Sequence, residues 1–185
     1  MLRLFLLLAL TLMAAPAAAN ETAWRALQQG GQVVVMRHAS TVPGTGDPLN
    51  FRLGDCTTQR NLSKAGRAEA RSLGEAFRRR AIVISAVLSS EWCRGIETAE
   101  LAFGRVETWP GANSFFDNTA DREGRTMALR QRVAAHRGPG NLVIVTHQVN
   151  ITALTGIFPQ QAEFVVLTPD QAGGFKLVGS VKPGA

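Results

Sequence analysis

Of the 185 residues, 20 are Lys or Arg and 14 are Asp or Glu, giving a formal net charge of +6. Once the first 19 residues are set aside, the positive side chains are 16 arginines and three lysines, a balance suited to bidentate contact with a small anionic substrate. The two cysteines, Cys56 and Cys93, come without a CxxC or Cys/His cluster, which excludes a cysteine metal centre and leaves a disulfide or two free buried thiols.

Residues 1–19, "MLRLFLLLALTLMAAPAAA", have a positive start at Arg3, an apolar core from Leu4 to Met13, and Ala17 and Ala19 before the exit. This pattern predicts a cleaved export signal, with a retained anchor as the alternative, because the apolar core falls short of the roughly 20 residues a membrane span needs. Residues 20–185 then read as one domain in the periplasm or outside the cell, with no stable membrane span. An exported protein rarely meets nucleic acid, so none is expected as a partner. The run Arg78-Arg79-Arg80 reads as the basic end of a helix.

"TAWRALQQGG" predicts a short helix ended by Gly30-Gly31, and "QVVVM" a buried strand rich in β-branched residues. "STVPGTGDPLNFRLGDCTTQRN" is a long polar loop, a kind that usually carries function. Ser63 offers an N-cap to "KAGRAEARSLGEAFRRR", where Ala65, Ala68, Leu73, Ala76 and Phe77 trace one helical face. "AIVISAVLSS" is the second strand, and "RGIETAELAF" the next helix, closed by Gly104. "RVETWP" reads as a short strand, "DREGRTMALRQRVAAHR" as a helix, and "NLVIVT" as a strand running into His147. "QVNITALTG" reads as a two-turn helix, and "EFVVLTP" and "GFKLVGSV" as closing strands. Apolar strands alternating with amphipathic helices predict a three-layer α/β/α sandwich around a mainly parallel sheet.

Such sheets bind ligands beyond the carboxyl ends of their strands. Arg37 and His38 follow the first strand, "SSEWCR" with Arg94 follows the second, and His147 follows "NLVIV". Three separate segments thus bring two histidines and two arginines to one sheet edge. The third histidine, His136, reads as an exposed residue at a helix tail. A zinc site would want a third ligand and a neutral or negative surround, whereas guanidinium groups beside both histidines suit an anion. The expectation is a phosphoryl site without metal or other cofactor. In it His38, kept neutral by nearby positive charge, attacks phosphorus, Arg37 and Arg94 grip the equatorial oxygens, and a partly or wholly protonated His147 adds a donor.

"VVVMRHAS", "RNLSKAGRAEA", "LSSEWCRGIETA" and "VIVTHQVN" resemble, in order and spacing, the successive signatures of the histidine phosphatase superfamily, over about residues 32–168. The resemblance implies a phosphoglycerate-mutase-like fold, His38 as the phosphorylated nucleophile, and Arg37, Arg94 and His147 as the rest of the phosphate pocket. Three departures stand out. Ala39 replaces the usual glycine after Arg-His, Gln148 replaces the glycine after the second histidine, and Ser114 in "GANSFFDN" falls near the proton-donating glutamate of mutase-like members. Asp117 is therefore the candidate proton donor, beside Asp121 and Glu123; the alternative for all three is a solvated loop or helix-start carboxylate. In the same alignment a Cys56–Cys93 disulfide would pin the long loop beside the pocket and fix Arg60 near its entrance. The function this implies is an exported, metal-independent phosphomonoesterase acting through phosphohistidine. Its substrate would be an envelope sugar phosphate or lipopolysaccharide-core phosphate. The rival reading is a non-catalytic phosphate- or phosphoester-binding module on the same fold.

Overall fold

The computed structural model describes residues 16–182, apart from Thr45 and Gln171. Residues 1–15, which hold the positive start and apolar core of the expected export signal, lie outside the described residues. The first described element, helix α1, spans Pro16–Gln29, and so starts before the segment that periodicity picks out. Gly30 and Gly31 end it with positive φ. Among the described residues no helix is long and apolar enough to cross a membrane.

Among the described residues, six strands form one mixed sheet. They are β1 (Val33–Arg37), β2 (Ile84–Ser89), β3 (Glu107–Thr108), β4 (Asn141–Thr146), β5 (Phe164–Pro169) and β6 (Phe175–Val181), in the order β3-β2-β4-β1-β5-β6. The first four of that order are parallel, and β5 and β6 are antiparallel. Between them run α2 (Lys64–Arg79), α3 (Cys93–Phe103), α4 (Arg122–Ala134) and α5 (Gln148–Thr155). The sheet is mainly parallel, as strand and helix alternation predicts, and its two C-terminal strands make it mixed.

The period-2 alternation of strand side chains divides the core in two. Val34 and Met36 of β1 face Trp24 and Leu27 of α1, Leu73 and Phe77 of α2, and Ala99 and Ala102 of α3. Val33 and Val35 face Leu129 and Val133 of α4 and Ile151 and Leu154 of α5. Every residue of β4 is buried, because helices cover both of its faces. Helix α2 starts at Ser63, whose hydroxyl accepts from Gly66 N–H at 3.0 Å. Its buried face departs from the expected one. Ala65 and Ala68 are exposed, and Gly66 and Ala70 turn inward with Leu73, Ala76 and Phe77. The reason lies next to the sheet edge: a Cβ at Gly66 would stand 1.8 Å from the Ser40 carbonyl oxygen, so the helix packs on backbone there. The arginine run ends α2 as expected; Arg78 donates to Ala102 O at 3.2 Å, and the Arg80 guanidinium lies 4.3 Å from the Trp24 ring centre.

Candidate active site

The site stands where β1, β2 and β4 end. Arg37 closes β1, and His38 continues it by donating its N–H to Thr146 O at 3.1 Å, while His38 O accepts from Ala162 N–H at 3.1 Å. Ser90 N–H donates to Val145 O at 3.0 Å, which places the start of "SEWCR" beside the end of β4. These backbone bonds, made by central strands buried on both faces, hold His38 and His147 in place. Their ring centres are 5.4 Å apart, and the two residues are 3% and 4% exposed.

His38 Nδ1 lies 2.9 Å from Ala39 O. A carbonyl only accepts, so Nδ1 carries the proton and Nε2 keeps its lone pair. Burial first, then the charge of Arg94, lowers the His38 pKa to about 3, so the ring is neutral at neutral pH. His147 departs from the expectation of a protonated ring. Burial, followed by Arg94, His38, Arg37 and Arg60, drives its pKa well down, so it is neutral and offers a single N–H. Its Nε2 is hydrogen-bonded to Ser90 Oγ at 2.9 Å, and Trp92 packs edge-on against its ring.

Three guanidinium groups line the same cleft. Arg37 donates through Nη1 to Pro159 O at 3.0 Å, and Arg94 through Nη1 to Asp47 at 2.8 Å. Arg60 donates to Gly44 O. The Nε–H groups of all three are buried without a hydrogen-bond partner. Burial lowers the pKa of both Arg37 and Arg94, in Arg94 against the pull of Asp47. Buried polar groups are nearly always paired, so three arginines that line one cleft beside neutral histidines, each with an unpaired Nε–H, suit an oxyanion. Among the described residues, no group of three or more His, Cys, Asp and Glu side chains is placed to hold a metal ion.

The Cys56–Cys93 disulfide forms, with a sequence separation of 37. Beside it Cys93 N–H donates to Gln59 Oε1 at 3.0 Å, so the loop is tied covalently and by hydrogen bond to the start of α3. Arg60, one residue on, reaches the cleft as expected. Ser114 and Asp117 also line it; Asp117 is exposed, and the Ser114 hydroxyl accepts from Phe116 N–H at 3.1 Å. Asp121 and Glu123 are not part of the cleft lining. Asp121 pairs with Arg125 at 3.6 Å, and Glu123 lines a separate groove on α4. Sequence reasoning missed Asp47 altogether. It also misplaced His136, which is buried and hydrogen-bonded through Nε2 to Gly140 O at 2.9 Å.

No protein-family model and no curated protein sequence matches the chain. Solved structures match over nearly their whole length. The protein histidine phosphatase SixA complexed with tungstate is 18% identical, with a TM-score of 0.58 over 82% of this chain and 97% of that one. A variant of Entamoeba histolytica phosphoserine phosphatase in complex with phosphoserine is 11% identical, with a TM-score of 0.58 over 83% and 98%. A mycobacterial glucosyl-3-phosphoglycerate phosphatase is 16% identical, with a TM-score of 0.55 over 79% and 96%. The fold is the phosphoglycerate-mutase-like one that these solved structures share.

Within this fold the Arg-His-Ala departure has a local explanation. Ala39 does not have a positive φ, so no glycine is demanded there, and its methyl group is fully buried with Leu62, Ala70 and Ala162. Its N–H donates to Thr98 Oγ1 at 3.0 Å, and that hydroxyl donates to Arg94 O at 2.6 Å, linking the residue after the histidine to the arginine of α3. Gln148 lines the cleft and donates through Nε2 to Thr152 Oγ1 at 2.8 Å, within its own helix.

Proposed function

We propose that the protein is a phosphomonoesterase that works through a phosphohistidine. One observation carries the reading: the Nδ1–H bond of His38 to Ala39 O leaves Nε2 free and unprotonated among three arginines whose Nε–H groups are unpaired. In the first step Nε2 attacks phosphorus and the bond to the ester oxygen breaks. That oxygen leaves with a proton from Asp117, the carboxyl group of the cleft not committed to an arginine. In the second step water attacks phosphorus, the P–N bond breaks, the water proton returns to Asp117, and inorganic phosphate departs. Arg37, Arg60, Arg94 and the N–H of neutral His147 bind the equatorial oxygens.

The substrate class that fits is an envelope sugar phosphate or a lipopolysaccharide-core phosphate, and the site of action the periplasm or the medium. The "MLRLFLLLALTLMAAPAAA" pattern supports export, and a disulfide suits an oxidising compartment. The exposure of Asp117 favours one rival, a phosphate- or phosphoester-binding module that holds the anion without turnover.

p-Nitrophenyl phosphate separates the two. Expected is turnover that survives EDTA, falls to background in His38→Ala, and passes through an acid-labile phosphoenzyme. Phosphate binding by a wild-type protein that never turns over, at acidic and neutral pH alike, establishes the binding module instead.

A further inference from the structure

The long loop places a carboxylate inside the anion cleft. The Asp47 side chain is 2% exposed. Its Oδ1 accepts from Arg94 Nη1 at 2.8 Å and from the Arg60 backbone N–H at 2.9 Å, and its Oδ2 accepts from Trp92 Nε1 at 3.0 Å. Each partner bears on the site. Arg94 and Arg60 line the cleft, and Trp92 packs against the His147 ring with centres 5.2 Å apart. A fixed negative charge repels any phosphate that enters, so on Coulomb grounds alone Asp47 opposes the ligand. Nor is it a proton donor. Both of its oxygens are engaged as acceptors, and although burial alone would raise its pKa, the hydrogen bonds from Arg94, Arg60 and Trp92 hold it below the usual carboxylate range.

We propose that Asp47 is a positioning residue: by taking Nη1 of Arg94 and the backbone N–H of Arg60, it fixes the Arg94 guanidinium and the main chain that carries Arg60 at the wall of the anion cleft. The inference rests on the anion-site reading and deepens it. A buried arginine without a fixed partner samples several rotamers, and the bond through Nη1 selects one that leaves Nε uncommitted. The Trp92 bond closes the arrangement by setting the wall against which His147 packs.

The two effects of Asp47 have opposite signs, which makes the proposal testable. Removing the carboxylate tightens anion binding if charge alone matters, and weakens it if orientation dominates. Binding of inorganic phosphate and of orthovanadate to the full chain is measured by titration calorimetry for wild type, Asp47→Asn and Asp47→Ala. Circular dichroism and a thermal melt check each fold, and kcat and KM are read on p-nitrophenyl phosphate. Expected is an affinity loss of about tenfold in Asp47→Asn and about 100-fold in Asp47→Ala, with kcat falling in the same order. A role confined to folding the loop lowers the melting temperature and leaves the affinity of folded protein intact.

Unchanged or tighter phosphate binding in folded Asp47→Asn overturns the proposal, and that isosteric variant decides the matter if Asp47→Ala does not fold. A wild type that binds phosphate but turns nothing over removes the phosphatase reading, while the binding series still judges Asp47. A wild type that binds neither anion overturns both.

Discussion

At Ala39 a single carbonyl decides what the neighbouring imidazole can do. It accepts the hydrogen bond from His38 Nδ1–H, and with the ring pKa lowered to about 3 the proposed nucleophile has no proton to lose at neutral pH. The proton traffic of the proposed reaction therefore falls on the leaving group and its proposed donor. Asp117→Asn is expected to slow hydrolysis of alkyl phosphates by about 100-fold or more, since positioned acids contribute on that scale, while p-nitrophenyl phosphate with its weakly basic leaving group changes little. Steady-state rates on the two substrate types check this, and equal losses on both remove Asp117 as the donor. Arg37, His38, Arg94 and His147 are legible in the sequence because each ends or follows an apolar run, and strand ends converge in a doubly wound sheet. Asp47 is not. It meets Arg94 across 47 residues from within an aperiodic loop, and no local pattern announces such a contact. The protonation of His147 and the burial of His136 escape sequence reasoning for a related reason, since both depend on what tertiary packing takes away from water.

Among the elements, α2 shows most plainly how close approach overrides periodicity. Leu73, Ala76 and Phe77 follow the expected stripe because that half of the helix lies on the sheet. In the N-terminal half the partner is the backbone of residue 40, so a glycine faces inward, and a hydrophobicity pattern does not register a glycine. Gly66→Ala is expected to cost about 1–3 kcal/mol, as overpacking does, and to lower activity by shifting the segment that carries the Ala39 carbonyl. Gly124→Ala on α4 is the control, because a Cβ there meets nothing within 4 Å. Urea midpoints and phosphatase rates of the two variants decide it, and a Gly66→Ala protein as stable as wild type refutes the close approach. The other elements are readable with their type and order, down to the αL residues Gly104 and Gly156 that close α3 and α5. The antiparallel pairing of β5 and β6 accords with their short Gly-containing connection, whereas the two-residue length of β3 reflects an edge position that sequence does not mark.

For the whole molecule, the site holds two histidines almost entirely out of bulk water, and this sets how stability responds to acid. Both are neutral in the fold and protonate in the unfolded chain near pH 6.5. Between that pH and about 3 the unfolded state binds more protons than the native one, so stability rises with pH across this window and is lost as pH falls through it. Urea unfolding at pH 7 and at pH 4.5 is expected to show the native state weaker at the lower value, with a shallower pH dependence in His38→Ala; equal slopes in the two proteins contradict it. The disulfide works on the opposite side of the equilibrium. Because it survives when every other contact is gone, an unfolded oxidised chain still holds Cys56 against Cys93, a ring closed over a separation of 37 residues. Such a ring removes conformational freedom worth about 3–4 kcal/mol from the unfolded ensemble. The segment that delivers Asp47 and Arg60 and the segment that delivers Arg94 are thus never strangers to one another, and an oxidised chain starts its search for the native state with these two pieces already within reach.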